Sequence, residues 1–204
     1  ILFFITVFLG FHAFKVEMSY EYSSLLPKKD PAFKDYRRFV EVFGEEGNII
    51  VVGIKDPDFF RIDRFRRWKE LCEELSTVEG VEDLLSVSNT YNLVKNTEKL
   101  RFEIVEIFPD SINSQEEIDL LSDRFRSLPF YKNTVYNPET NSYLLAITVN
   151  KEKMHTHDRE KMVRSIRRIC NRFEKEQNIN LHYSGLPYIR VVNSIKIRNE
   201  LYLF

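Results

Sequence analysis

Eight residues, Asn48-Ile49-Ile50-Val51-Val52-Gly53-Ile54-Lys55, constrain this chain more than any other stretch. The run is short, almost continuously apolar and rich in β-branched side chains, with Gly44 and Gly47 before it and Asp56-Pro57-Asp58 after it. Those flanks and that length predict a strand rather than a helix, and the lack of alternation predicts a central strand buried on both faces. An amphipathic helical pattern and a second strand-like run follow Asp58, so the stretch also opens a β-α-β unit. No Gly-rich turn follows the strand, which argues against a dinucleotide-binding unit.

The remaining elements come from periodicity and punctuation. Phe33, Tyr36, Val40 and Phe43, with Phe39 beside them, recur at helical spacing, Lys34, Asp35, Arg37, Arg38 and Glu41 face away, and Gly44 is placed to stop the helix. Ile62, Phe65, Trp68, Cys72 and Leu75 mark one face of a helix of about five turns, with Asp58 as the expected cap and Gly80 just past its end. Val81 to Ser88 is expected as a strand, Asn89 to Thr97 as a loop, and Leu100 to Phe108 as an edge strand, a short helix being the other reading. Ser114-Gln115-Glu116-Glu117 is a capping box opening a helix through Ile118, Leu121, Phe125 and Leu128 that Pro129 stops. Asn133 to Tyr136 and Ser142 to Val149 form a hairpin through the turn formers of 137–141, the second run lying beside the first central strand. Thr156 is a possible cap for a helix from His157 to Gln177 carrying the stripe Met162, Ile166, Ile169, Cys170 and Phe173, and Ile179 to Tyr183 is the last strand.

This order, β-α-β, an insertion carrying one helix, then β-α-β, predicts an α+β fold of the ferredoxin-like split β-α-β type, with two helices on one face of a four-stranded, mostly antiparallel sheet. The domain is expected to span 48–184 with its insertion at about 89–130.

The two ends have a different character. No formal charge precedes Lys15, His12 being neutral, and the residues 1–14 are fewer than the roughly 20 that a spanning helix needs. They are expected to be the C-terminal end of a transmembrane helix. A signal-peptide core would want a basic leader and a small-x-small cleavage site, which are missing here, and burial in a soluble core is the remaining reading. Residues 15–47 are expected as a linker and short helix, the polar, turn-rich stretch from Tyr20 to Pro31 being the loop. Residues 185–204, with Ile189, Val192 and Ile195 at helical spacing and growing apolarity toward Phe204, are expected as an amphipathic helix leading to a second transmembrane helix.

A length of 204 residues with 43% hydrophobic content excludes disorder, and a net charge of −1 excludes recruitment of nucleic acid by overall field. Two cysteines exclude a disulfide scaffold and a four-thiolate metal site.

In sequence order, a membrane exit, Leu25-Leu26-Pro27-x-x-Asp30-Pro31, a helix ending in Phe43-Gly44, the Ile-Ile-Val-Val strand, Val78-Glu79-Gly80-Val81, and Gly185-Leu186-Pro187 before a terminal helix together resemble one known arrangement. It is that of the first extracytoplasmic loop of the resistance-nodulation-division (RND) superfamily, particularly its MMPL-like and hydrophobe/amphiphile exporter branch. The resemblance covers almost the whole chain and rests on the order of individually weak motifs. It implies a porter-like domain on the periplasmic side of the inner membrane, working with the membrane body and a second porter-like domain of the same parent chain. The family uses proton entry to move lipids or other amphiphiles, a homo-oligomer being one assembly the resemblance allows, and its proton-relay helices lie outside this chain. No enzyme activity, cofactor or nucleic-acid partner is implied. The reading from a different class is a non-transporting extracytoplasmic interaction domain, of a protein-export accessory or a sensor. A third is a soluble ferredoxin-like enzyme or regulatory domain whose apolar start is core.

His155-Thr156-His157-Asp158 offers metal donors, but i, i+2 spacing across a helix start does not converge on one ion, and a solvated helix entry is favoured. Arg61, Arg64, Arg66, Arg67 and Lys69 crowd the start of the first long helix and Glu70, Glu73, Glu74 and Glu79 its end, against the helix dipole. They form either a solvated face, with Arg66–Glu70 and Lys69–Glu73 pairs, or a docking face for an acidic domain or anionic headgroups. Arg159, Lys161, Arg164, Arg167, Arg168 and Arg172 lack the interleaved aromatics of a nucleic-acid platform. Cys72 and Cys170 sit past the middle of two helices expected side by side, either as a disulfide or as two buried thiols. Asp56 and Asp58 are expected to be ordinary turn residues. No residue is assigned to catalysis, metal, cofactor or substrate.

Overall fold

The computed structural model describes Phe3, Thr6, Phe8 and residues 30–43, 47–97, 99–154 and 158–201. They fall into two compact units, Ile1–Glu45 and Glu46–Phe204. The fold is α+β, with antiparallel sheets.

In the first unit Phe3, Thr6 and Phe8 are helical, and α1 spans Pro31–Phe43. Asp30 starts α1 by accepting the Ala32 N–H at 2.8 Å on its side chain. The expected loop before Asp30, the remaining residues of 1–14 and the stop at Gly44 lie outside the described residues.

The second unit is built on β1 (Ile49–Lys55), which pairs on one side with β6 (Ser142–Val149) and on the other with β7 (Leu181–Ser184). β2 (Val81–Leu85) pairs with the far side of β6, giving the order β2-β6-β1-β7 with every pair antiparallel. The two-residue β5 (Tyr136–Asn137) also pairs with β6. The central position expected of β1 is thus correct. Its burial on both faces is not: Ile50, Val52 and Ile54 are buried, whereas Ile49 and Lys55 are exposed and Val51 and Gly53 half-buried. β-branched residues satisfy strand preference on both sides, but helices cover only one side, so the continuous run conceals an ordinary alternation.

The covered face packs under α2 (Ile62–Ser76) and α5 (Asp158–Gln177). Phe65, Trp68, Leu71, Cys72 and Leu75 from α2 and Met162, Val163, Ile166, Cys170 and Phe173 from α5 join Ile50, Val52, Leu145 and Ile147 in one core. The indole Nε1 of Trp68 donates to Ser86 Oγ at 2.7 Å, so the largest core side chain has its polar atom satisfied. Asp58 does not cap α2. The helix begins after Arg61, and its Ile62 N–H is accepted at 2.9 Å by Gln115 Oε1, a side chain 53 residues away in sequence. Thr77 forms the C-cap, three residues before Gly80.

The insertion differs most from expectation. Tyr91–Asn96 is a strand, β3, not a loop; it pairs with β4 (Arg101–Glu106) in a separate two-stranded sheet. Val81 to Ser88 holds only the five residues of β2 before a 3-10 turn at Val87–Asn89. The insertion is anchored at its base: the Tyr131 hydroxyl accepts from Tyr91 N at 3.0 Å and donates to Tyr91 O at 2.7 Å, while Ile107, Phe108 and Ile112 are buried in the core. α3 (Gln115–Arg126) follows, with Ser114 Oγ accepting Glu117 N–H at 3.2 Å and Phe125 packed on Phe108 and Tyr136. Only half of the capping box forms, because Glu117 Oε2 accepts from Asn113 N at 2.8 Å.

A short α4 (Lys151–Met154) precedes α5, and α6 (Leu186–Leu201) follows β7 at once, packing against α5, β1 and β7. Gly185 makes this turn possible: its φ is +102°, and a Cβ there would lie 2.2 Å from the Ile49 carbonyl oxygen. Val191 of α6 is buried, with Tyr188 and Ile195 partly so. Among the described residues no helix is long and apolar enough to cross a membrane, and 202–204 lie outside them.

Candidate functional site

Most of the charges running against the dipole of α2 are consumed within the domain, while Arg61 and Glu73 are exposed. Arg64 Nη1 lies 3.2 Å from Asp56 Oδ2, and Arg66 donates through Nε and Nη2 to the Ile112 carbonyl at 3.1 and 2.5 Å. Arg67 bridges Glu70 and Glu176, Lys69 reaches Asp110 Oδ1 and Pro109 O at 2.9 Å each, and Glu74 pairs with Arg172 of α5. The expected Arg66–Glu70 and Lys69–Glu73 pairs are not among the ion pairs of the described residues; tertiary partners outcompete them. The cluster ties α2 to the insertion and to α5.

Much of the basic row of α5 is likewise engaged, Arg168 being exposed. Arg164 and Arg198 of α6 both hold the Glu160 carboxylate, at 2.5 and 2.8 Å, and keep it well below the usual range, at about 2, Arg198 being the larger cause. The Arg167 guanidinium lies 4.1 Å from the Tyr183 ring centre. Burial pushes the Tyr183 phenol up.

Asp56, expected as turn chemistry, is 5% exposed. Its Oδ1 accepts the Asp58 N–H at 3.0 Å, and its Oδ2 faces Arg64 with no hydrogen bond completed. The sequence signal was there, an Asp closing an apolar strand with an Arg in the first turn of the next helix, but nothing local marks it as buried.

Cys72 and Cys170 are free, buried thiols. Ser88 Oγ donates to Cys72 Sγ at 3.5 Å, and desolvation pushes Cys72 up to about 11 and Cys170 to about 12. Neither is a nucleophile at neutral pH, because the thiolate is the reactive form. His155, Thr156 and His157 lie outside the described residues, and Asp158 begins α5 as an exposed residue. Among the described residues no group of three or more His, Cys, Asp or Glu side chains could hold a metal.

Two open grooves flank α2. One, of about 290 Å³, lies against β2 and the 3-10 turn, with Cys72, Ser88 and Asn89 in its wall; the other, of about 380 Å³, lies against Asp110 to Asn113. Lys69 lines both. They are at the lower limit for small-molecule sites, and neither combines an apolar floor with convergent polar groups.

What the domain does offer is exposed apolar sheet surface. On the uncovered side of the main sheet Ile49, Leu85 and Leu144 are exposed. On the hairpin, the register Tyr91↔Glu106, Leu93↔Ile104 and Lys95↔Phe102 puts these six residues on one face. Tyr91, Leu93, Phe102 and Ile104 are between 48% and 72% exposed, and Leu100 in the turn is 86% exposed. Sequence reasoning missed this face because its first strand was taken for a loop. No family model matches the chain, and no curated protein matches it.

Proposed function

We propose that this chain is the first extracytoplasmic, porter-like domain of a proton-driven RND-type exporter, helping to move a lipid or other hydrophobic or amphiphilic compound. Its fold is then the ferredoxin-like split β-α-β sandwich with an inserted hairpin and helix. The observation that carries the reading is the strand order β2-β6-β1-β7 with all pairs antiparallel. Two β-α-β units, β1-α2-β2 and β6-α5-β7, each leave room for a strand of the other, as the split arrangement requires. Further support comes from Gly185 at the first residue of the Gly-Leu-Pro motif, where the backbone of β1 excludes any side chain. Exposed apolar sheet surface without an enclosed polar site suits a domain that meets amphiphiles and neighbouring domains rather than one that performs chemistry.

The exposed hairpin face also favours the second reading, an extracytoplasmic interaction domain without transport. The coding sequence on either side of this chain separates the two. The exporter reading expects a membrane segment completing residues 1–14, a block of further apolar spans of roughly 20 residues each after Phe204, and then a second loop of the same pattern. A parent gene without that repeat contradicts it.

A further inference from the structure

The β3–β4 hairpin is a two-stranded ribbon outside the main sheet, and ribbons of this kind have marginal stability unless a face is covered. Among the described residues nothing covers its apolar face. Taking an aromatic side chain at roughly 150–250 Å², the five side chains named above leave on the order of 500 Å² of contiguous apolar surface, a size that marks interaction sites. Leu100 sharpens the point: its φ is +48°, a turn conformation suited to Gly or Asn, yet a leucine stands there with its side chain in solvent.

Charge decides between occupants. Residues 91–106 carry Lys95, Lys99 and Arg101 against Glu98, Glu103 and Glu106, so the hairpin has no net charge to draw it to anionic headgroups. Lys99 and Arg101 are in addition both paired with Glu103, at 3.1 and 3.4 Å. On the apolar face itself the charges are segregated, Lys95 at the turn end and Glu106 at the base, with Tyr91, Leu93, Phe102 and Ile104 beside and between them. Four residues separate the rung of Lys95 from that of Glu106, about 14 Å along the ribbon, too far for them to pair within one chain.

We propose that this face is a self-association surface, on which a second copy of the chain lays its own hairpin face in antiparallel fashion about a two-fold axis. Apolar centre then meets apolar centre, and each Lys95 meets the other copy's Glu106, as a self-complementary interface requires. About 1,000 Å² is buried in total, the lower limit for a specific interface, so the dimer is weak and concentration-dependent. This surface is independent of the transport reading.

Sedimentation equilibrium on the purified chain tests it. The wild type shows a monomer–dimer equilibrium. Lys95→Glu alone and Glu106→Lys alone each face like charges at both ends of the interface, and each weakens self-association by about tenfold or more. Mixing the two variants restores it, because in the heterodimer both end pairs are again opposite in sign. Phe102→Ser/Ile104→Ser abolishes dimerisation while far-UV circular dichroism stays unchanged. A chain that remains monomeric at all accessible concentrations overturns the proposal, as does a dimer indifferent to Lys95→Glu or single variants that mixing does not rescue. Binding of a monomeric chain to phosphatidylcholine/phosphatidylglycerol vesicles, lost in Phe102→Ser/Ile104→Ser, assigns the face to lipid instead and also overturns it.

Discussion

At the scale of single residues, the chain places unusual demands on a few positions. Gly185→Ala forces a Cβ into the Ile49 carbonyl at a φ of +102° and is expected to destabilise the domain by about 2–3 kcal/mol, read as a lower urea midpoint. An unchanged midpoint contradicts the tight turn from β7 into α6. The thiols make the opposite kind of prediction. Native protein at pH 8 reacts slowly with a thiol reagent, because burial holds Cys72 and Cys170 at about 11 and 12, and two thiols titrate at once in denaturant without reductant. Fewer than two under those conditions establishes the disulfide that helix geometry had left open. Helical spacing identified nearly every core residue of α2 and α5, since periodicity reports a buried stripe directly. It missed Asp56, whose burial depends on Arg64 arriving from another element, and Gln115, whose carbonyl caps a helix 53 residues away.

Between elements, charge does much of the joining. Arg64 and Asp56 link α2 to the end of β1 in a mostly buried pair, so Arg64→Met leaves an uncompensated carboxylate and should cost about 3 kcal/mol by chemical denaturation. Removing both charges with Asp56→Leu/Arg64→Met should cost less than Arg64→Met alone, and a larger loss in the double variant contradicts a paired role. The α5–α6 junction carries a pH dependence. Glu160 binds its proton at about 2 in the folded domain against an ordinary value of 4.5. A depressed carboxylate stabilises fully above its unfolded value and loses that contribution as pH falls toward its folded value. The protection factor of the α6 amides, which removes the intrinsic pH dependence of exchange, should therefore fall between about pH 4.5 and pH 2, and Glu160→Gln should remove that fall. The element the sequence concealed was β3. Tyr91-Asn92-Leu93-Val94-Lys95-Asn96 puts Tyr91 and Leu93 on one face as a strand requires, but Asn92, the terminal Asn96 and the flanking turn formers favour a loop until β4 supplies the partner ladder.

For the molecule as a whole, element order was enough to anticipate an α+β fold with β1 at the centre of an antiparallel sheet, because a β-α-β unit followed by a second one leaves few ways to pair the strands. The insertion could not be anticipated in the same way: its hairpin makes its own small sheet and touches the core mainly through Ile107, Phe108, Ile112 and Tyr131. Side-chain chemistry in the domain is directed inward, to caps, ion pairs and an aromatic core, while its outward resource is apolar sheet surface. On the proposed reading the uncovered side of the main sheet, with Ile49, Leu85 and Leu144, faces substrate or neighbouring domains of a transporter. Reconstituting the full parent protein in liposomes and following a fluorescent amphiphile under an imposed proton gradient tests this most directly. Gradient-dependent movement is expected, abolished by an uncoupler and strongly reduced by Gly185→Val in this domain; a correctly inserted parent protein that moves no amphiphile in response to the gradient contradicts the transport reading.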